Sequence, residues 1–312
     1  MSFALTLCLV LLAAYALVSL LLSIIMWVAW HAGLERSLAT AADLLAMRLL
    51  PAGGAVFLVL TAVLPAFLVY EPRHAAEPVS ALPVMLALFT LVAVGDGVRR
   101  AWRANAAARS LIRHLGPVHG RLVESGHEID IFDVEEPIVA VVGGWQPRIV
   151  AAKRVVAACS AEEFQRVIAH ETAHLCGRDN LKLLLLVSVP DILAWMPLGA
   201  ALASRWRAAA EFAADERATG PDPKKRIALA SALVKVARLS SAKDRTMPAL
   251  SMPVAVDDVE GRVRQLLAPS PNATRTPIFG FFIACALLLP AMTAPFYGLL
   301  HELIEALVAF GR

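Results

Sequence analysis

Charged residues and aromatic residues are both scarce in this chain. Only 18% of its 312 residues are charged and 7% are aromatic, whereas 58% are hydrophobic. A soluble domain is about a quarter charged, so this composition excludes a disordered chain and an ordinary cytosolic enzyme. The net charge of +3 is too small to indicate nucleic-acid binding, and we expect no direct nucleic-acid partner. An integral membrane protein that also has a polar domain fits these numbers.

Cysteines are few, unevenly spaced and without a C-x-x-C pair. Cys8 and Cys285 lie in apolar runs, and Cys159 and Cys176 lie in the polar part of the chain. This spacing indicates neither a disulfide framework nor a cysteine-based structural zinc site. Four free thiols are the simpler interpretation.

Uncharged apolar runs are present and long enough to cross a bilayer as helices. Residues 3–30 would form a helix of about 42 Å at about 1.5 Å per residue, enough to cross a core of about 30 Å with tilt. No basic segment precedes this run and it is too long for a signal-peptide core, so we expect it to be retained. The predicted spans are residues 3–30, 52–70, 78–95 and 277–300.

Arginines near the span ends predict the orientation in a cell inner or plasma membrane. Residues 99–123 contain no acid but six arginines: Arg99, Arg100, Arg103, Arg109, Arg113 and Arg121. The positive-inside rule places this segment in the cytoplasm. Counting back puts the 71–77 loop outside, the 31–50 loop with Arg36 and Arg48 inside, and the N-terminus outside. We expect the basic segment to form a helix along the inner leaflet rather than to bind DNA.

The polar middle, residues 99–276, predicts an α+β domain. Its β-prone runs at 129–134, 138–142 and 148–150 are separated by glycine and proline, as in hairpins. Ser160 and Glu163 form an S-x-x-E capping-box pattern that begins a helix reaching about residue 176. Further helical patterns cover residues 181–195, 198–219, 226–238 and 259–267.

The helix that begins at Ser160 contains the sequence H-E-T-A-H at residues 170–174. Residues four apart lie on one helical face, so His170 and His174 can both bind one metal ion. Glu171 lies beside them, where it can take a proton from a metal-bound water. Zinc suits this set because it accepts nitrogen and oxygen ligands and can keep one position open. It lowers the pKa of its water to about 7.

A later helix is expected to supply the third ligand. The metzincin pattern requires a histidine at position 180, where this chain has Asn180. Glu211 is the alternative, as in His₂Glu sites, and Asp215 lies on the same helical face. We predict that Glu211 binds the metal and that Asp215 accepts a hydrogen bond from a ligand imidazole. The competing interpretation is a solvated face balanced by Arg207 and Arg217.

The run between these ligands cannot cross the membrane once, because His174 and Glu211 must lie on the same side. We therefore expect residues 181–219 to form a helical hairpin that turns near Met196 and Pro197. Asp191 lies inside this hairpin, either as a buried functional carboxylate or at a solvated turn, and the solvated turn is preferred.

Several short motifs follow one another along residues 144–218. They are Gly144 before Pro147-Arg148-Ile149, Ser160 with Glu163, V-I-A-H-E at 167–171 with His174, Asp179-Asn180, Trp195 with Pro197, and Glu211 with Asp215-Glu216-Arg217-Ala218. In these motifs the chain resembles the BlaR/MecR-type family of membrane zinc metallopeptidases, which includes antirepressor and β-lactam-sensor peptidases. The order of three spans before the zinc domain and one after it is also similar to that family.

The resemblance implies specific roles. His170, His174 and Glu211 would be zinc ligands, Glu171 the general base, and the catalytic domain would be cytoplasmic. The substrate would be a protein: the chain itself, a transcriptional repressor or another regulatory protein. Ala214 stands where the family often has cysteine, a difference expected to be harmless. The family's β-lactam sensors have an extracellular domain after the last span, whereas only 301–312 follow it here, so we expect no sensor module.

The expected protein is a mainly α integral membrane protein with four transmembrane helices and a cytoplasmic α+β zincin domain of the gluzincin type. Residues 1–98 would contain three spans, 99–276 the zinc peptidase, and 277–312 the fourth span and a short tail. The expected function is a zinc-dependent endopeptidase acting beside the lipid bilayer.

Two alternative functions remain open from the sequence. One is a CaaX-processing or HtpX-type membrane protease, which also uses H-E-x-x-H and E-x-x-x-D; the Pro147 segment and the short interval from His174 to Glu211 favour the first family. The other is a non-catalytic membrane signalling protein, which would not require Glu171.

Overall fold

The computed structural model describes residues 2–33, 40–70, 80–124, 126–240, 251–253 and 258–268, with three single positions near the carboxyl end. The short helical elements include a π-helical turn at Val59–Val63 and a 3₁₀ helix at Ile192–Trp195. The other elements, in chain order, are α1 (Phe3–His31), α2 (Ala41–Leu58), α3 (Leu64–Tyr70), α4 (Ala81–His114), β1 (Gly120–Glu124), β2 (His127–Phe132), β3 (Val139–Val142), β4 (Arg148–Ala152), α5 (Lys153–Ala158), α6 (Ala161–Gly177), α7 (Asp179–Ser188), α8 (Pro197–Thr219), α9 (Pro223–Leu239), β5 (Ser251–Pro253) and α10 (Val259–Leu267).

Three helical stretches among the described residues are long and apolar enough to cross a membrane: Phe3–His31, Ala41–Tyr70 and Ala81–His114. The first matches the predicted span 3–30. The second begins eleven residues earlier than predicted, because Thr40 caps a helix at Ala41 by accepting a hydrogen bond from the Asp43 amide. The predicted fourth span, 277–300, lies outside the described residues.

The third span is also longer than the predicted 78–95. Helix α4 continues without a break through the arginine-rich segment, so the basic residues do not form the separate helix expected from the sequence. Alanine and arginine both favour helix, and no glycine or proline lies between Val98 and Leu115. The chain turns only at Gly116, which has a positive φ of 76°.

The described residues group into two compact units. The apolar unit contains residues 2–99 and Leu186–Arg205. In its core, Val10 on α1 packs with Val59, Val63 and Phe67. Many other apolar side chains on α1 and α4 are exposed, as lipid-facing positions would be.

A buried ion pair joins two parts of the apolar unit. Arg48 of α2 donates to Asp191 at 2.7 Å, and both side chains are at most 2% exposed. Beside them the Tyr15 hydroxyl donates to the carbonyl of Pro190 at 2.8 Å. The preferred expectation of a solvated turn at Asp191 is therefore wrong. A buried carboxylate needs a partner, and Arg48 provides it.

The sheet unit contains residues from Arg100 to Leu185 and the described residues from Trp206 to 268. Its five-stranded sheet has the order β1-β2-β4-β3-β5. Strands β2 and β4 are parallel, with Ile129 opposite Ile149, and the other neighbouring pairs are antiparallel. The sequence patterns predicted β2, β3 and β4 and missed the two outer strands, β1 and β5.

Helices α6, α9 and α10 share one apolar core with this sheet. Helix α6 contributes Val167 and Ile168, α9 contributes Leu229 and Leu233, and α10 contributes Leu266. Strands β2, β3 and β4 face this core with isoleucine, valine and alanine. The core therefore fixes α6, the helix with the H-E-x-x-H sequence, against the sheet.

The predicted capping box at the start of α6 is present. The Ser160 side chain accepts from the Glu163 amide, and the Glu163 carboxylate accepts from the Ser160 amide. Glu163 also accepts from Ser231 and Lys235 of α9, each at 2.6 Å. Burial raises the pKa of Glu163, but these hydrogen bonds outweigh burial and lower it to about 2.

Glu163→Gln should destabilise the sheet unit by roughly 1–2 kcal/mol near pH 7. A carboxyl with a depressed pKa adds its full stabilisation above its unfolded pKa of about 4.3 and loses it as the pH falls towards the folded pKa. The loss caused by Glu163→Gln should therefore shrink as the pH falls from about 4.3 towards about 2. Thermal unfolding of the detergent-solubilised chain at pH 7 and pH 3 measures it. The exposed Glu162→Gln in the same turn is the control. An equal loss of stability at pH 7 and pH 3 would contradict the lowered pKa of Glu163.

Candidate metal centre

Two imidazoles meet on one face of α6. His170 and His174 lie one helical turn apart and are both buried, and their Nε2 atoms are 3.1 Å from each other. Spacing of four residues on a helix produces this approach. Both rings therefore offer a nitrogen to the same small volume.

Helix α8 brings Glu211 to these nitrogens. Its Oε2 lies 3.4 Å from His170 Nε2, and its Oε1 lies 3.5 Å from His174 Nε2. The three ligand atoms all lie within 4.8 Å of one another, as a group that could hold a metal ion. Glu211 is buried, so the competing interpretation of a solvated face does not describe this residue.

Each imidazole has its own carboxylate on the far nitrogen. Asp215 lies 2.8 Å from His170 Nδ1, as expected from the shared face of α8. Asp179 lies 2.8 Å from His174 Nδ1, a contact that was not predicted. A carboxylate on Nδ1 fixes the ring orientation and leaves Nε2 free for a metal ion.

The turn after α6 places Asp179. Arg178 adopts a left-handed conformation with a φ of 51°, which ends α6 directly after Gly177, and α7 begins at the next residue. A Cβ at position 177 would lie only 2.9 Å from Asp179 Oδ1, so glycine is needed for this close approach. The sequence signal was the pair of Gly177 and Asp179 just past the second histidine.

Glu171 is fully buried beside the histidines and is anchored to the sheet. Its Oε2 accepts a hydrogen bond of 2.9 Å from the amide of Val141 on β3. Its Oε1 is buried without a hydrogen-bond partner among the described residues. Burial raises the pKa of Glu171 to about 7 against the opposing effect of the two histidines. A carboxyl with such a pKa can both accept and release a proton near neutral pH.

Strand β3 is not an open edge, as β5 pairs with it on the side away from β4. Asn180 donates to the carbonyls of Val141 and Gly143, at 2.8 and 3.0 Å. Both main-chain polar groups of Val141 are therefore bonded to side chains, the amide to Glu171 of α6 and the carbonyl to Asn180 of α7. Asn180, which broke the metzincin pattern, instead ties β3 to the start of α7.

Arg262 of α10 was not anticipated from the sequence. Its guanidinium donates to both oxygens of Asp215, at 2.8 and 2.6 Å, and its Nη1 lies 2.8 Å from Glu211 Oε2. Arg262 is 1% exposed. Nothing in the amphipathic pattern of residues 259–267 distinguishes this arginine from Arg264, which lies two positions later.

The charges of the cluster suit a divalent cation. Glu171, Glu211 and Asp215 face the single guanidinium of Arg262. When all three are ionised they exceed its charge by two, so the balance requires protons on the two imidazoles or a metal ion in their place. Burial raises the pKa of Glu211, but Arg262 and the two histidines outweigh it and lower that pKa well below its usual range. Glu211 Oε2 and Glu171 Oε1 are also buried without hydrogen-bond partners among the described residues. The donor set and these atoms fit a metal ion.

The same charges act on the imidazoles. Burial lowers the pKa of His174, but Asp179 and Glu211 outweigh it and raise that pKa to about 10. Burial and Arg262 lower the pKa of His170, and its bonds to Asp215 and Glu211 raise it overall. The carboxylates thus attract positive charge to both rings, as protons or as a metal ion in their place.

Comparison with models of known protein families identifies the family of this chain. The family model described as BlaR1 peptidase M56 matches residues 77–266, which include α4 and all the site residues above. The chain belongs to the BlaR1 peptidase M56 family. This result confirms the resemblance stated from the sequence. A search among curated proteins finds no match.

Membership in the BlaR1 peptidase M56 family, with three apolar helices and the His170–His174–Glu211 cluster, makes the chain a membrane metallopeptidase. The identity of the metal, the substrate and the individual roles of the site residues go beyond this statement and are treated below as proposals.

Metal analysis of the detergent-purified chain tests the cluster. We expect about one zinc per chain, lost in Glu211→Ala because two histidines alone hold zinc weakly. Glu216→Ala is the control, since Glu216 is an exposed carboxylate on the same helix. If Glu211→Ala retained zinc, Glu211 would not be a ligand. If the folded unmodified chain contained no metal, the proposed metal centre would be wrong.

Proposed function

We propose that the chain is a membrane-embedded, zinc-dependent endopeptidase that cleaves a protein substrate. The observation that supports this most strongly is the buried cluster of His170, His174 and Glu211 with an adjacent buried carboxylate, Glu171. Two nitrogens and one oxygen are the ligand set of catalytic His₂Glu zinc sites, which keep a fourth position open. In this proposal His170, His174 and Glu211 are the ligands and Asp215 orients His170.

The mechanism follows from where the residues lie. Bound zinc would polarise the scissile carbonyl and lower the pKa of a water molecule. Glu171 takes the proton of the attacking water at Oε1, the oxygen that has no partner, while Oε2 stays bonded to the Val141 amide. Glu171 then passes the proton to the leaving amine. Asp215 and Asp179 hold the imidazoles still during both steps.

The substrate class follows from the family. We propose a regulatory protein, such as a transcriptional repressor, or the chain itself, because peptidases of this type act in signal transduction. Residues 99–276 would form the peptidase domain, of gluzincin-like zincin fold. The lipid bilayer is then the second partner of the chain.

The alternatives are less well supported. A CaaX-processing or HtpX-type protease would have the same ligand set, but the family match over residues 77–266 favours the BlaR1 type. A non-catalytic signalling protein would need the metal ligands only, whereas Glu171 is buried and anchored by the backbone of β3. A structural metal site has no use for such a base.

Glu171→Gln should abolish proteolysis and leave the metal in place, because it removes the base but none of the ligands. The purified chain is incubated with a library of peptides from a digested proteome, and new peptide ends are detected by mass spectrometry. The loss should be about 100-fold or more. Glu162→Gln, on the exposed face of α6, is the control. Cleavage at full rate by Glu171→Gln would contradict the mechanism and favour signalling without proteolysis.

We also propose that the sheet unit is cytoplasmic and that the N-terminus is outside, since arginines occupy the second half of α4, after its apolar part. Glu135, whose side chain is fully exposed, is replaced by cysteine in a chain without other cysteines. A membrane-impermeant maleimide should label it only in inside-out vesicles. Labelling in right-side-out vesicles would reverse the proposed orientation.

A further inference from the structure

We propose that the turn between β3 and β4, residues 143–147, docks on the surface of the bilayer and inserts the Trp145 side chain among the lipid headgroups. The partner is the lipid surface through which α4 leaves the membrane. This contact is separate from the metal centre, and it does not depend on peptidase activity.

Trp145 is the most exposed large apolar side chain among the described residues, at 76%. The turn that contains it is nevertheless held in place. The Gly143 carbonyl accepts a hydrogen bond of 3.0 Å from Asn180, and a Cβ at position 144 would lie 3.3 Å from a methyl carbon of Leu184. The indole therefore lies outside the core on a packed turn. A single exposed apolar side chain is common on protein surfaces, so its surroundings decide what it binds.

The same turn lies beside the second half of α4. A Cβ at position 144 would lie 3.9 Å from Oδ1 of Asn105, so the residue before Trp145 is a neighbour of that helix. Asn105 follows Trp102 by three positions, and residues three apart are neighbours on a helix surface. Trp102 is itself 64% exposed. Two exposed indoles therefore occur in the same part of the sheet unit.

Trp102 continues the lipid-facing stripe of α4. Residues that follow one another at spacings of four and three lie on one face of a helix. On α4 six exposed residues without a polar or charged group follow this spacing apart from the indole N–H: Val84, Leu88, Leu91, Gly95, Val98 and Trp102. Trp102 therefore lies on the face that the apolar part of α4 presents to lipid.

The length of α4 gives the depth of these residues in the bilayer. Arg99 is the first arginine of the helix, so the hydrocarbon core ends near Val98. At about 1.5 Å per residue, Trp102 lies about 6 Å further along the helix and Asn105 about 10 Å further. The headgroup layer is roughly 5–8 Å thick on each side of the core. Trp102 is therefore at headgroup depth, and the turn beside Asn105 lies at its outer border.

The groups at this position suit a lipid surface. Arg99 and Arg103, on either side of Trp102, are both exposed, and arginines near a membrane surface are attracted to anionic lipids. Indole rings are enriched at this depth because they combine an apolar ring with a polar N–H group. The lipid-facing stripe of α4 leads directly to these residues, so the bilayer is favoured over a protein partner.

A docked turn would also fix the distance between Glu171 and the bilayer surface. Trp145 follows Val141 by only four residues, and the Val141 amide donates to Glu171. Strand β3 then connects the lipid surface to the proposed catalytic base.

Fluorescence quenching by lipid tests the docking. The full chain is reconstituted in vesicles of phosphatidylcholine and phosphatidylglycerol, and the emission of Trp145 is obtained as the difference between the unmodified chain and Trp145→Phe. Lipid brominated in the upper part of its acyl chains is the quencher in the bilayer, and acrylamide is the quencher in water. We expect brominated lipid to reduce the Trp145 emission about twofold or more, and acrylamide to reduce it only slightly, because the indole is among the headgroups.

A tryptophan at the other end of β3 is the control. Glu135 precedes this strand, whereas the turn follows it, and the Glu135 side chain is fully exposed. The emission that Glu135→Trp adds should be strongly reduced by acrylamide and unaffected by brominated lipid. If Trp145→Phe lowers the melting temperature of the chain, Trp145→Tyr takes its place in the difference measurement.

Two results would overturn the proposal. One is Trp145 emission that acrylamide reduces as strongly as the emission of the Glu135→Trp control, without an effect of brominated lipid. The other is Trp145 emission that changes when a peptide substrate is added but not when brominated lipid is present, because the turn would then bind protein instead of the bilayer.

Discussion

The buried charge around two imidazoles is the constraint on which the sheet unit depends. Three carboxylates, Glu171, Glu211 and Asp215, lie in a volume from which water is largely excluded. Their mutual repulsion would be several kcal/mol at contact distance even at an effective dielectric constant of about 20. Arg262 and the two histidines offset it, so the helices α6, α8 and α10 must pack together for the cluster to exist. A metal ion would add to this balance.

The sheet takes part in the chemistry through a single peptide unit. The Val141 amide holds one oxygen of Glu171, and the Val141 carbonyl accepts from Asn180. A side-chain base on a helix would otherwise be free to change rotamer. Because β3 is a buried strand of the sheet, its backbone is a rigid reference for the base, and α6 is held against the same strand by the apolar core. The packing of the core therefore also determines the position of Glu171.

Local patterns predicted the parts of the site that lie on one helix or in one short segment. The H-E-x-x-H spacing and the capping box are periodic signals, and both describe α6 correctly because helical geometry alone determines them. The shared helical face of Glu211 and Asp215 was predictable for the same reason. Tertiary contacts determine the roles of Asp179, Asn180 and Arg262. The sequence around a single arginine in an amphipathic helix does not indicate which residue it pairs with.

The same limit explains why the second helix begins before the predicted span 52–70. The apolar pattern began the second span at residue 52 and left Arg48 in the preceding loop, and an isolated charge inside a membrane helix is costly. In the structure that charge is paired with Asp191, more than a hundred residues away, so the helix extends to Ala41.

Arg48 should then not be counted among the positive charges that determine orientation, since its charge is buried and compensated. The arginines in the second half of α4 are different, because Arg99, Arg103, Arg109 and Arg113 are exposed. The proposed cytoplasmic location of the sheet unit therefore depends on α4 and not on the loop between the first two spans.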